Sequence, residues 1–435
     1  MPGDPLHWLL TLRIDKSSFL IPLDVVVALL GLYLLLRSPQ PRRLLRSFGA
    51  AVLGAAVGLL LAWLVSDVWN VFGLPLTAVT RMWVAIAFAG VFLAVANLWG
   101  TRWWRKVVAA VMIPGVLLVA AAGINVDEGA YRDLNDALGI VPYSAMPASH
   151  LTAHAGTMDP NLGKDWRPPA GMPKHGRVGT VHIPATDSHF AARKTVVYLP
   201  PAALVRKPPV LPVLMLFAGQ PGTPSDVFTS GRAAATYDAF AAQHNGLAPI
   251  VVAADQLGGP GQNPMCVDSP LGNSATYLTV DVPNWIRTHL PVAESSRYWA
   301  VGGYSQGGTC AIQFGAGHPE LFGSIIDVLG ELAPTIGSKT VAEGFGGSRA
   351  AYQASTPLVM LAQHAPYRDS FAIFASGGRD LKYTRYAKEL NAAARRAGMT
   401  TELLVSRASG HDWNTVRYAW ARALPQMADR MGLAQ

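Results

Sequence analysis

The chain has 435 residues, more than one ordinary domain holds. It is 51% hydrophobic and only 14% charged, where a soluble globular protein carries about a quarter charged residues. That balance excludes a disordered chain and a wholly water-facing one, and two cysteines exclude a disulfide scaffold. The net charge is +8, with ten Lys/Arg against four Asp/Glu up to Val126 and 25 against 23 beyond it. The excess therefore lies among apolar segments and reads as a membrane-topology signal rather than a nucleic-acid surface.

Four apolar stretches, about Phe19–Leu36, Phe48–Ser66, Met82–Trp99 and Val107–Val126, each approach the ~20 residues that cross a bilayer as a helix. Arg37, Arg42, Arg43 and Arg46 fall between the first and second, and Arg102, Arg105 and Lys106 between the third and fourth. Basic short loops stay cytoplasmic, so both termini are expected outside, with the remainder of the chain on the extracytoplasmic side. The first stretch has no basic segment directly before it and an arginine-rich flank after it, which suits a retained span rather than a cleaved signal. Trp63, Trp69, Trp83, Trp99, Trp103 and Trp104 cluster near the expected ends as an aromatic belt, and Asp24 reads as an interfacial carboxylate.

Residues 127–174 hold Pro142, Pro147, Pro160, Pro168, Pro169 and Pro173 and no sustained periodicity, so they read as a linker. His150 and His154 have helical i, i+4 spacing, but no acidic or cysteine ligand completes a metal set nearby. The sequence calls for no metal and no cofactor.

From 175 to the C-terminus the pattern is α/β. Val178–Ile183 and Lys194–Leu199 read as an opening antiparallel pair. Val210–Phe217, Ile250–Ala254, Tyr298–Val301, Ser324–Leu329, Phe371–Phe374 and Thr401–Ser406 read as further strands. Helices are expected at Tyr237–His244, Ala275–Thr288, Gly307–Gly315 and Lys382–Ala397. This alternation predicts a mostly parallel sheet covered on both faces, with ligands bound beyond the carboxyl ends of the strands.

The loops at those strand ends carry chemistry. Gly303-Tyr304-Ser305-Gln306-Gly307 is a G-x-S-x-G turn between strand and helix, the setting that exposes a nucleophilic serine above a sheet. Such a serine needs a base and the base an orienting acid, in the chain order Ser, acid, His. His411, after Thr401–Ser406, is the only histidine beyond His364 and is read as the base. Asp380, after Phe371–Phe374, is read as the acid, with Glu331 and Asp327 as the alternatives and Asp412 as a local loop contact. Backbone N–H groups of Gln306 and Gln220 are read as the oxyanion hole, because Pro221 has no N–H to give. Cys266 and Cys310 are candidates for a disulfide in an oxidising compartment.

Thr195–Pro200, Gly303–Gly308, His318–Phe322 and Gly410–Trp413 together resemble the esterase-D-like superfamily of α/β-hydrolases, which includes secreted mycolyltransferases. The resemblance covers about Arg177 to Met431. It implies a serine esterase or acyltransferase with Ser305 and His411 carried over by position. Many relatives have His-Gly or Asp-Gly where this chain has Ala218-Gly219, and the mycolyltransferases use a glutamate as the acid and lack a membrane domain. The function expected is a membrane-anchored extracytoplasmic serine esterase acting on acyl esters of envelope lipids or glycans. An acyltransferase using the same acyl-enzyme is the alternative, and a non-enzymatic envelope protein is the remote one.

Overall fold

The computed structural model describes residues 5–36, 40–69, 71, 74–99, 101–140, 143–151, 154–259 and 261–434. Arg37 and Pro142 lie outside them. The chain divides into two compact units, Met1–Ile140 and Val141–Gln435.

The first unit holds four helices long and apolar enough to cross a membrane: α1 (Ser17–Leu36), α2 (Pro41–Trp63), α3 (Ala78–Ala96) and α4 (Trp103–Glu128). Helix α2 begins seven residues before the apolar stretch expected there and runs on through a π turn at Leu64–Val68. Hydropathy reports only the hydrocarbon-crossing part, whereas backbone hydrogen bonding carries a helix on through its arginine-bearing end. Gly54 and Gly58 of α2 lie against Phe88 and Val84 of α3, where a side chain would collide with backbone. Small residues at this spacing let membrane helices approach closely. Thr77 caps α3, accepting from Thr80 N at 3.0 Å, and Gly129 ends α4 in the left-handed conformation.

The second unit is built on eight strands: β1 (Arg177–Val181), β2 (Thr195–Leu199), β3 (Val213–Phe217), β4 (Ile250–Ala253), β5 (Trp299–Tyr304), β6 (Ser324–Val328), β7 (Phe371–Gly377) and β8 (Thr400–Ser406). Their order is β1-β2-β4-β3-β5-β6-β7-β8. Strand β2 runs antiparallel to both its neighbours, and all other pairs are parallel. Helices α5 (Ala233–Gln243), α6 (Val282–His289), α7 (Gln306–Gly317), α8 (Leu381–Arg396) and α9 (Trp413–Arg430) accompany them. This is the α/β-hydrolase architecture. The helix expected from Ala275 enters through a π turn at Tyr277–Asp281, which accommodates Pro283 at the start of α6.

Strand β3 (VLMLF) is buried along its whole length, as a strand covered on both faces must be. In register, Phe217 pairs with Gly303, Tyr304 with Val328, Val328 with Ala375 and Gly377 with Ser406. The loops beginning at residues 218, 305, 329, 378 and 407 therefore leave one edge of the sheet together.

The proline-rich stretch is divided rather than free. Its part after Ile140 belongs to the second unit: Met146 N donates to Thr180 O and Thr180 N to Ser144 O, each at 2.9 Å, and Gly156 N donates to Val292 O. A linker reading therefore fails for this part, because proline spacing reports local stiffness and not whether backbone groups find partners elsewhere. His150 ends a short 3-10 turn, and no group of three His, Cys, Asp or Glu side chains able to hold a metal occurs among the described residues.

Asp327, in β6, is fully buried and accepts from Gly330 N at 2.8 Å. Burial pushes its carboxyl up to about 8, against the opposing pull of that hydrogen bond. A raised folded value means that the folded state keeps a proton the unfolded chain releases, so stability falls as pH rises from about 4 to about 8. Asp327→Asn is expected to match the wild type in urea midpoint near pH 4 and to exceed it above pH 8 by roughly 5 kcal/mol or less. Equal midpoints at both pH values would show that Asp327 ionises freely.

Candidate active site

Ser305 lies between β5 and α7 with φ 56° and ψ −118°, a conformation costly for a residue with a side chain. The surroundings hold it there. A side chain at Gly303 would strike the Gly307 carbonyl, one at Gly307 would strike the Ala218 carbonyl, and Ser305 N donates to Val328 O at 2.9 Å. The two glycines flanking the serine are thus required by close backbone approach, as the pentapeptide implied.

Asp380 is the N-cap of α8. One carboxylate oxygen accepts from Tyr383 N at 3.0 Å, and the other meets His411 Nδ1 at 3.3 Å. Burial acts to raise its pKa, but the hydrogen bonds from His411 and Tyr383 N, with the nearby charge of Lys382, outweigh it and leave the group below its ordinary value. The His411 side chain is only 8% exposed. Its Nε2 is buried without a hydrogen-bond partner, so no hydrogen bond to Ser305 is formed in this state. The carbonyl of His411 accepts from Tyr304 OH at 2.9 Å, and the Tyr304 and His411 rings are 5.3 Å apart. The His411 loop is thereby tied to the residue immediately before Ser305.

The other acids fall elsewhere. Glu331 forms no hydrogen bond or ion pair with the imidazole; it accepts from Tyr383 OH at 3.2 Å, and burial raises its pKa against the lowering effects of that hydrogen bond and of Lys382. Asp327 is sealed in the sheet, and Asp412 caps α9, accepting from Thr415 N at 3.0 Å.

Gln306 is the first residue of α7, where a backbone N–H has no acceptor within its own helix. The Ala218–Gln220 loop lies beside the serine, since a side chain at Gly219 would come within 3.4 Å of Ser305 Cβ. A buried amide chain joins the two. Gln256 Nε2 donates to Ala218 O at 2.6 Å and to Gln306 Oε1 at 3.0 Å. Gln306 Nε2 donates to Asn263 Oδ1 at 3.1 Å, and Asn263 Nδ2 to Gln220 Oε1 at 2.6 Å. Sequence reasoning missed Gln256, Asn263 and Tyr383. Gln256 follows β4 by three residues and Tyr383 follows Asp380 by three, so the strand-end rule could have found both. Asn263 sits in a long loop and carried no signal.

Cys266 and Cys310 form a disulfide with Cα atoms 5.5 Å apart and a sequence separation of 44. It fastens the loop bearing Asn263 to α7 behind the serine. Closing a loop of that length removes about 4 kcal/mol of unfolded-state entropy. The Cys266→Ser/Cys310→Ser pair is accordingly expected to lower unfolding free energy by about that amount in urea. A change below about 1 kcal/mol would mean that the loop is held without it.

The family model described as "Putative esterase" matches residues 191–431. An uncharacterized protein of Corynebacterium glutamicum is 32% identical over 442 residues, covering 98% of this chain and 99% of that one. Among solved structures, a ferulic acid esterase aligns with TM-score 0.51 and 19% identity over 60% of this chain and 100% of its own. An S-formylglutathione hydrolase from Agrobacterium tumefaciens aligns with TM-score 0.50 and 20% identity over 60% of this chain and 97% of its own. These two likenesses show the fold.

Proposed function

The chain belongs to the esterase family whose model matches residues 191–431, and from that membership we propose that it is a membrane-anchored serine esterase working through an acyl-enzyme. Ser305 is the nucleophile, His411 the general base, Asp380 the orienting acid, and the N–H groups of Gln306 and Gln220 the oxyanion donors. The observation that carries this reading is the His411–Asp380 contact, with Nε2 of the same imidazole buried and unsatisfied.

The chemistry stems from the arrangement. Asp380 accepts from Nδ1, which fixes the tautomer and leaves the Nε2 lone pair to take the Ser305 proton. The serine oxygen then bonds to the ester carbonyl carbon, and the negative charge on the carbonyl oxygen falls to the backbone donors. His411 returns the proton to the departing alcohol. Water, deprotonated in turn by His411, releases the acid and restores Ser305. The hydrogen bond between Nε2 and the serine is made when substrate is bound, since catalytic contacts in free enzymes often tighten only in the complex.

The four apolar helices support anchoring, and the basic residues at the helix ends, Arg42, Arg43, Arg46, Arg102, Arg105 and Lys106, support a catalytic unit on the extracytoplasmic side. Esters of envelope lipids or glycans are the substrates such a position would reach. A fluorophosphonate probe applied to the full chain in detergent should label the wild type and not Ser305→Ala. Labelling that survives the substitution would remove the serine mechanism. Product analysis with and without an added sugar acceptor decides whether water or an alcohol receives the acyl group.

A further inference from the structure

Beyond Val126 the chain is nearly neutral, with 25 basic and 23 acidic residues, so a local excess of one sign there is not a consequence of composition. On the exposed surface at the base and acid loops cations gather, while the carboxylates of those loops, Asp380 and Asp412, are held inward by hydrogen bonds. Arg379, Lys382, Arg385 and Arg407 are all exposed, and none forms an ion pair among the described residues. Glu389, one turn beyond Arg385 on α8, is not paired with it.

The four are held together by the fold. The loops carrying Arg379 and Arg407 are pinned by Gly378 N donating to Ser406 O at 2.8 Å and Arg379 N donating to Ser409 O at 3.0 Å. Lys382 and Arg385 lie over one ring, that of Tyr386, at 5.8 and 5.6 Å. Lys382 is also 5.1 Å from the Tyr383 ring, which meets the His411 ring edge-on at 4.3 Å. Its charge reaches the carboxylates of both Asp380 and Glu331. Lys382 further lies in the first turn of α8, where the helix dipole disfavours a cation. Beyond these ring contacts and the neighbouring Asp380 and Glu331, none of the four meets a carboxylate at ion-pair distance among the described residues, so their charge is open to a ligand.

We propose that this cationic rim binds an anionic, phosphate-class group on the ester substrate and so selects acidic esters over neutral ones. The inference rests on the esterase reading and adds the chemical class of its substrate. An anion held across Lys382 and Arg385 would meet their charge and the positive end of α8, with the ester directed past Tyr383 toward His411.

The test uses the full chain in a non-ionic detergent and two soluble butyrate esters of one phenol, one of them bearing a phosphate monoester. The ratio of kcat/KM, anionic over neutral, is expected to be about tenfold or more at low salt and to collapse at high salt. The same ratio should collapse in Arg385→Gln/Arg407→Gln and persist in Lys382→Arg. Taking the ratio cancels any general loss of activity in a variant. As a readout without turnover, inorganic phosphate should raise the thermal midpoint of Ser305→Ala, and raise it less when the arginine pair is also replaced. Competition by inorganic phosphate identifies phosphate oxygens as the recognised group; competition only by phosphatidylglycerol-containing vesicles, and not by phosphatidylcholine ones, identifies a lipid headgroup. A ratio near one that salt and the variants leave unmoved overturns the proposal, provided neutral-ester turnover still depends on Ser305. Vesicle binding with such a ratio also overturns it, and makes the rim a membrane-docking surface. Loss of Ser305 dependence would instead strike the esterase reading.

Discussion

Ser305→Ala should lower kcat/KM on a neutral chromogenic ester by about 10⁴- to 10⁶-fold, leaving only what the backbone donors and binding supply. The size reflects the division of labour: without the hydroxyl neither His411 nor Asp380 has a proton to move, so their contributions vanish with it. Alanine at φ 56° keeps the backbone penalty already borne by the serine. The variant should therefore fold, with an unchanged far-ultraviolet spectrum and an unfolding midpoint close to the wild type. Residual activity above a tenth of wild type in a correctly folded variant would mean that another group makes the acyl bond.

Asp380→Asn is the second, at about 10⁴-fold in kcat. An asparagine presents an amide where the imidazole needs an acceptor, so His411 would carry its proton on the wrong nitrogen. The choice of asparagine separates catalysis from stability. Asp380 also caps α8 through Tyr383 N, and asparagine caps a helix about as well as aspartate, so the unfolding midpoint should barely move. Asp380→Ala would lose the cap too, at a further cost of about 1 kcal/mol. Glu331→Gln is the comparison: it keeps an acceptor for Tyr383 OH, removes a buried carboxyl whose pKa burial has raised, and should change kcat only a few-fold. If the two variants exchanged their effects, Glu331 would be the acid and the contact at Asp380 merely structural.

Much of this protein was readable from residue order because the underlying physics is local. A span of about twenty apolar residues can satisfy its backbone in lipid only as a helix, so hydropathy alone could place four helices long and apolar enough to cross a membrane. Their ends escaped it, since a helix continues past its apolar part, as α2 does back to Pro41. Strands buried on both faces read as apolar runs, and the turn around Ser305 read as an elbow because Gly303 and Gly307 admit no side chain.

The choice among acids was not local. Asp380, Glu331 and Asp327 all follow or occupy strands at one edge of the sheet, and only the register and the direction of α8 decide which faces the imidazole. The same holds for the division of the proline-rich stretch, where strand pairing at Thr180 claims residues that composition assigned to a linker. It holds again for the amide chain through Gln256 and Asn263, whose directly bonded members lie up to 50 residues apart. Periodicity and turn chemistry act over a few residues and are written in order; partners brought together by sheet register are chosen by distances that no short window contains.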